Sequence, residues 1–249
     1  MKWDFIGKGS AFYPPYGNTG AYMLRDKELY LLDCGEMAFD YLYRHANLDA
    51  AENVYVILTH LHADHVGSLG TLISYFYCLR KMRIYVVHPE DAVVRLLALE
   101  GLETDAYHYC AAMPENRAGL RAAPVKVRHV DNMECYGYLL SDGEETIYYS
   151  GDACEIPQGV KEMFFAGKID RLYQDTSTHD SPNPSHCYYE KLEAEIPPEW
   201  RDKVYCMHLD GPCGEMLKEK GFRVVEAAAC LSRCAGPAGM VGGQALDMA

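Results

Sequence analysis

The chain has 249 residues, 49% of them hydrophobic, and a formal net charge of −13. That length fills one large core or two small ones, and no apolar run reaches the ~18–20 residues of a membrane span. No membrane partner is therefore expected, and because the 23 Lys and Arg are scattered the acidic balance disfavours extended nucleic-acid binding.

The opening MKWDFIGKGS lacks the apolar stretch of a secretory signal. Residues 3–6, 21–24 and 29–32 are predicted as three early strands, with a Gly/Pro/Asn-rich loop at 13–18 between the first two. Residues 37–44 have a helical pattern, and 54–58 form a continuous β-branched and apolar run suited to a buried strand. A helix over 69–79 follows, packed through Leu69, Leu72, Ile73, Phe76 and Leu79, then a strand at 84–87 and a helix at 92–99. The stretch 101–121 is irregular and reads as a lid or connecting loop. Strands are predicted at 125–130, 136–140 and 146–149, with the turn Asp142-Gly143 joining the last two. The final third alternates: helix 160–166, strand 171–174, helix 186–195, strand 204–207, helix 216–220 and strand 222–225. Two groups of strands interleaved with helices predict an α/β fold, an αββα sandwich of two mixed sheets with helices outside.

Ten cysteines occur with no C-x-x-C pair. Without a secretory signal this predicts free thiols in the reducing cytoplasm, not a disulfide framework or a cysteine metal site.

The chemistry is concentrated in THLHADHVGS, residues 59–68, directly after the buried strand. Loops leaving the C-terminal ends of strands are where α/β folds place their sites. In an extended segment His60 and His62, two residues apart, point the same way and can share one metal. Asp64 and His65 follow once the chain turns, placed for a second metal beside the first. Imidazole with carboxylate favours zinc, manganese or iron(II) over calcium.

This H-x-H-x-D-H motif resembles the signature of the metallo-β-lactamase superfamily, and the resemblance runs from about residue 3 to 226. It implies a hydrolase domain over residues 1–228 and a site completed by two more histidines and an aspartate, each following a predicted strand. The candidates are His129, Asp152 in YYSGDA and His208 in VYCMHLD. Carried over, His60, His62, His129 and Asp152 hold a first divalent metal ion, and Asp64, His65, Asp152 and His208 a second. Zinc is the first choice, with manganese or iron as alternatives. Two such ions share a hydroxide that attacks the substrate.

FIGKGSAF followed by YGNTGAY, and HVDNMECYGYLL followed by YYSGDA, resemble the ribonuclease Z-like branch. That branch implies Asp175 in QDTST and His186 in SHCYYEKL as a carboxylate–histidine pair that protonates the leaving oxygen. His186 reads otherwise as an exposed helix-start histidine, and His179 is a competing donor. The branch also implies a possible homodimer. Two departures matter. His129 and Asp152 are too close for the RNA-gripping arm of ribonuclease Z, leaving space for a hairpin only. The last motif reads His208-Leu209-Asp210, where Ser or Phe is usual near the histidine. A small phosphodiester is therefore the expected substrate; the branch also resembles phosphodiesterases acting on cyclic nucleotides, and that resemblance implies a cyclic nucleotide in particular. The aromatics of 12–16 and 107–109 are candidates to stack on a base. Alternatives are a ribonuclease Z-like RNA endonuclease, an acyl ester, lactone or thioester hydrolase on the same fold, and a metal-bound sensor without turnover.

The tail is separate. Residues 231–249, LSRCAGPAGMVGGQALDMA, resemble an internal segment of polyprenyl diphosphate synthases, without the D-D-x-x-D motif their chemistry needs. Residues 229–249 are expected to lie outside the hydrolase domain.

Overall fold

The apolar runs become the strands of two six-stranded sheets in a computed structural model that describes residues 1–227. The 229–249 tail, with its synthase resemblance, lies outside the described residues. The first sheet contains β1 (Asp4–Gly7), β2 (Gly20–Arg25), β3 (Glu28–Leu32), β4 (Asn53–Ile57), β5 (Ile84–Val87) and β6 (Tyr107–Cys110), side by side in that order. The second contains β7 (Arg121–Val127), β8 (Cys135–Ser141), β9 (Thr146–Tyr149), β10 (Arg171–Asp175), β11 (Val204–Met207) and β12 (Arg223–Val224), also in chain order across the sheet. Each sheet begins with three antiparallel strands and continues with parallel ones.

Parallel neighbours require crossovers, and here each of the six carries a helix. In the first half these are α1 (Ala38–His45), α2 (Ala63–Val66), α3 (Leu69–Ser74) and α4 (Ala92–Leu99). In the second they are α5 (Gln158–Phe165), α6 (Tyr189–Glu195) and α7 (Gly214–Glu219). The period-two alternation of a strand decides which layer each side chain joins. On β4, Val54 and Val56 pack with Leu42, Leu72, Phe76 and Leu97 of the helical layer. Tyr55 and Ile57, pointing the other way, meet Leu140, Tyr149 and Met207 of the second sheet. The second sheet's outer face packs on α5, α6 and α7 through Phe164, Leu192 and Leu217. These layers are the expected αββα sandwich, with one core between the sheets and one under each helical layer.

Three details depart from the sequence reading. The stretch 101–121 contains β6, the edge strand of the first sheet, so Tyr107, His108 and Tyr109 are sheet residues. The connection after β6 is pinned by the fully buried Glu28, which accepts hydrogen bonds from the Arg117 and Ala118 amides at 2.9 and 3.2 Å. Strand β7 runs earlier than predicted because Pro124, which lacks an N–H, is tolerated on an edge strand. It ends at Val127, leaving His129 in the loop beyond. The predicted hairpin between His129 and Asp152 is present as β8 and β9, with no arm between them. No helix among the described residues is long and apolar enough to cross a membrane, and the cysteines among them are free thiols.

Candidate metal centre

Strand β4 delivers the motif to the rim where the two sheets meet. His62 has extended backbone and precedes α2, whose first turn carries Asp64 and His65. Gly35, after β3, has no alternative residue: a Cβ there would lie 2.0 Å from the Asp64 carbonyl oxygen.

The seven proposed ligands converge as two groups that share Asp152. In the first, His60 Nε2 and His62 Nδ1 are 2.9 Å apart and His129 Nε2 and His62 Nδ1 3.2 Å. Asp152 Oδ2 lies 3.8 Å from His60 Nε2 and 3.6 Å from His129 Nε2. In the second, His65 Nε2 is 3.1 Å from Asp152 Oδ1 and 3.3 Å from Asp64 Oδ2. His208 Nε2 is 3.3 Å from each of the same two oxygens. Ligand atoms within each group lie within 4.8 Å of one another.

His62 is half-buried and the other six are buried. Asp152 Oδ1 and His65 Nε2 have no hydrogen-bond partner. Buried lone pairs converging without a donor are costly unless a cation neutralises them, and imidazole with carboxylate is a donor set for divalent transition metals. The residues present therefore fit such ions. Burial and the neighbouring His65 hold His60 well below the ordinary histidine value, and burial lowers His62, so both are neutral imidazoles suited to a metal. Burial opposes ionisation of Asp152, yet His208 and His65 hold its carboxyl well below the usual range. Burial likewise opposes charge on His208, but Asp152 with Asp175 and Asp64 raises it to about 10.

Outer partners fix these rings. The sequence reading missed Asp33, fully buried at the end of β3, whose Oδ2 accepts from His65 Nδ1 at 2.8 Å. Its Oδ1 accepts from the Thr59 amide at 2.8 Å and the Thr59 hydroxyl at 3.0 Å. Asp33 has φ +62°, a left-handed conformation that Asp tolerates better than most residues. It was legible only as an aspartate ending the apolar run LYLL. The Ser185 carbonyl accepts from His129 Nδ1 at 2.8 Å. The YGNTGAY motif acts through Thr19, whose hydroxyl donates to the Gly9 carbonyl and accepts from the His208 amide, both at 3.1 Å. That brace supports His208 in its own left-handed turn, φ +56°.

His186 belongs to the same cluster. It does not open a helix: α6 starts at Tyr189, and His186 lies in a bend of the loop before it. In that position His186 Nδ1 is 2.8 Å from Asp175 Oδ2, while Asp175 Oδ1 lies 3.5 Å from His208 Nδ1. Burial opposes a charge on His186, but Asp175 overrides it and raises its pKa above the ordinary value. His179, the competing donor, has a side chain 81% exposed and approaches Asp210 at 3.9 Å. The cluster opens into a cavity of about 840 Å³, also lined by Phe12, Glu36, His179 and Asp210. Tyr107, His108 and Tyr109 do not line it.

Two mixed sheets with outer helices, and a rim of His and Asp at the strand ends, define a metal-dependent hydrolase of the metallo-β-lactamase fold. The crystal structure of the metallo-beta-lactamase fold protein YhfI from Bacillus subtilis superposes with a TM-score of 0.69 at 18% identity, covering 91% of this chain and 95% of that one. The family profile of the Anti-Pycsar protein Apyc1 matches residues 1–227, and the chain belongs to that family. The Anti-Pycsar protein Apyc1 of Paenibacillus harenae is 25% identical over 245 residues, covering 91% of this chain and 97% of that protein. A ribonuclease Z of Metallosphaera sedula is 31% identical over 153 residues, which cover 57% of this chain and 49% of that protein.

Proposed function

We propose that this hydrolase is a phosphodiesterase of small cyclic nucleotides that works with two divalent metal ions, zinc first. His60, His62, His129 and Asp152 would hold one ion, and Asp64, His65, Asp152 and His208 the other. When bound, such ions supply Lewis acidity to the phosphoryl oxygens and lower the pKa of a coordinated water.

The chain's own residues orient and protonate. Asp175 accepts from His186 Nδ1, which fixes the ring and leaves Nε2–H for the substrate. As the ester P–O bond breaks, the departing ribose oxygen takes that proton. The hydroxyl of the attacking water stays on phosphorus, giving a phosphomonoester. Asp33, Ser185 and Thr19 contribute by holding ligand residues in place.

The lining of the cavity carries the choice of substrate. Among the described residues no lysine or arginine lines it, whereas the carboxylates of Glu36 and Asp210 do. A polyanion such as RNA would meet these carboxylates with no lysine or arginine to offset them. A cyclic nucleotide brings one negative charge, and its volume suits a cavity of about 840 Å³. Phe12, 96% exposed on the cavity wall, offers a flat apolar face to a base.

The test is hydrolysis of cyclic nucleoside monophosphates and bis(p-nitrophenyl) phosphate by protein loaded with zinc or manganese. Metal-dependent turnover of both, abolished together with metal binding in Asp152→Ala, is the expected result. Full metal loading with turnover of acyl esters and of no phosphodiester would overturn the reading.

A further inference from the structure

The tip of the segment carrying His186 stands free of the core. Residues 179–183 are exposed, and the segment is closed at its neck, where the Ser177 amide donates to the Cys187 carbonyl at 2.8 Å and the Tyr189 amide to Ser177 O at 3.0 Å. Two groups of the proposed machinery, His186 and the Ser185 carbonyl that orients His129, sit beside that neck. One side chain from outside the segment grips its other arm. Asp210 accepts from the Ser177 hydroxyl at 2.6 Å, the Thr178 amide at 2.9 Å and the Thr178 hydroxyl at 2.9 Å.

Asp210 is itself rigidly placed. After His208 the chain is stapled to the first loop, with the Leu209 amide donating to Lys8 O at 2.8 Å and the Ser10 amide to Leu209 O at 3.0 Å. Both carboxylate oxygens of Asp210 are engaged by the segment, and Asp210 belongs to none of the ligand groups. A carboxylate lining the cavity but saturated by a loop is suited neither to ligate metal nor to take a proton from water. Its geometry is that of a clamp.

We infer that Asp210 is a positioning residue, whose carboxylate fixes the 177–188 segment so that His186 reaches the leaving oxygen. This rests on the proposal that His186 is the proton donor. Loss of the clamp leaves Asp175 and the metal ligands in place but frees the neck to shift. A displacement of about 1 Å in a reacting group costs on the order of 100-fold.

The experiment compares two substrates that differ in need for a proton. A cyclic nucleotide expels a ribose alkoxide, whereas bis(p-nitrophenyl) phosphate expels p-nitrophenolate, which is stable enough to leave unprotonated. In metal-loaded Asp210→Ala, kcat per bound metal for the cyclic nucleotide should fall by roughly 10–100-fold, with thermal unfolding and aryl-ester turnover per bound metal little changed. Thr178→Val removes one clamp bond without touching the loop that carries His208, and should show a smaller loss with the same selectivity. Adding Asp210→Ala to His186→Ala should cost nothing further on the cyclic nucleotide. Parallel losses on both substrates in both variants, or no loss, would overturn the inference while a selective His186→Ala effect leaves the donor role intact. A His186→Ala variant without that selectivity would overturn the donor role and the clamp together.

Discussion

Replacing Asp33 tests whether the site depends on a residue that touches no substrate. Its carboxylate is fully buried and receives the His65 ring N–H, the Thr59 amide and the Thr59 hydroxyl, at 2.8, 2.8 and 3.0 Å. Hydrogen bonds to a buried charged group contribute about 1.5–3 kcal/mol each, and truncating one partner orphans the others. The three share one acceptor and are not additive, so Asp33→Ala should lose about 3–5 kcal/mol, the cost of breaking a buried charged network. Asp33→Asn keeps the shape and one acceptor oxygen, but cannot hold His65 Nδ1–H and both Thr59 donors at once. It should fold and bind metal about 10–100-fold more weakly, the usual effect of losing an outer partner of a ligating histidine. Urea unfolding of metal-free protein measures the first quantity, and competition with a chromophoric chelator the second. Wild-type metal affinity and stoichiometry in Asp33→Asn would refute the idea that Asp33 orients His65.

Three further outcomes follow from the same geometry. His186→Ala should retain its metal and lose roughly 10²–10⁴-fold in kcat on cyclic nucleotides; steady-state kinetics with metal analysis decides this. Phe12→Ala should raise KM for cyclic nucleotides by roughly 5–150-fold through a lost stacking contact of ~1–3 kcal/mol, with kcat and bis(p-nitrophenyl) phosphate turnover unchanged. Metal affinity should fall as pH drops. Neighbouring carboxylates raise His65 and His208 above the ordinary histidine value against the effect of burial, so metal must displace their protons, and that competition grows as pH falls. Calorimetric titrations in buffers of different ionisation enthalpy would count the released protons, and a pH-independent affinity would contradict this.

Most of the framework was legible because periodicity marks buried faces. The continuous apolar runs at 29–32 and 54–58 mark two central strands with both faces buried, and the structure packs both faces. Less legible was β6, whose Tyr-His-Tyr-Cys lacks a clean polar and apolar alternation and is stabilised by pairing with β5. The seven ligand candidates were found because each follows a strand and fits a known motif, and the structure gathers all seven. Asp33 and Asp210 were not found, since their roles depend on contacts 26–32 residues or more away in sequence. One aspartate after an apolar run reads as an ordinary turn until the parallel pairing of β3 with β4 sets it beside Thr59. His186 was found but misplaced on a helix. Its ring meets Asp175 from a bend three residues ahead of Tyr189, where α6 begins.

The division of the ligands between the two sheets has a mechanical consequence. His60, His62, Asp64 and His65 come from the half built on the first sheet, and His129, Asp152 and His208 from the half built on the second. Each four-residue group spans the seam. Any cation bound there acts as a rivet, adding its binding free energy to the docking of one half on the other. Stripping it with a chelator would loosen that seam before either half melts, and hydrogen exchange along β4 and β9 would register the parting.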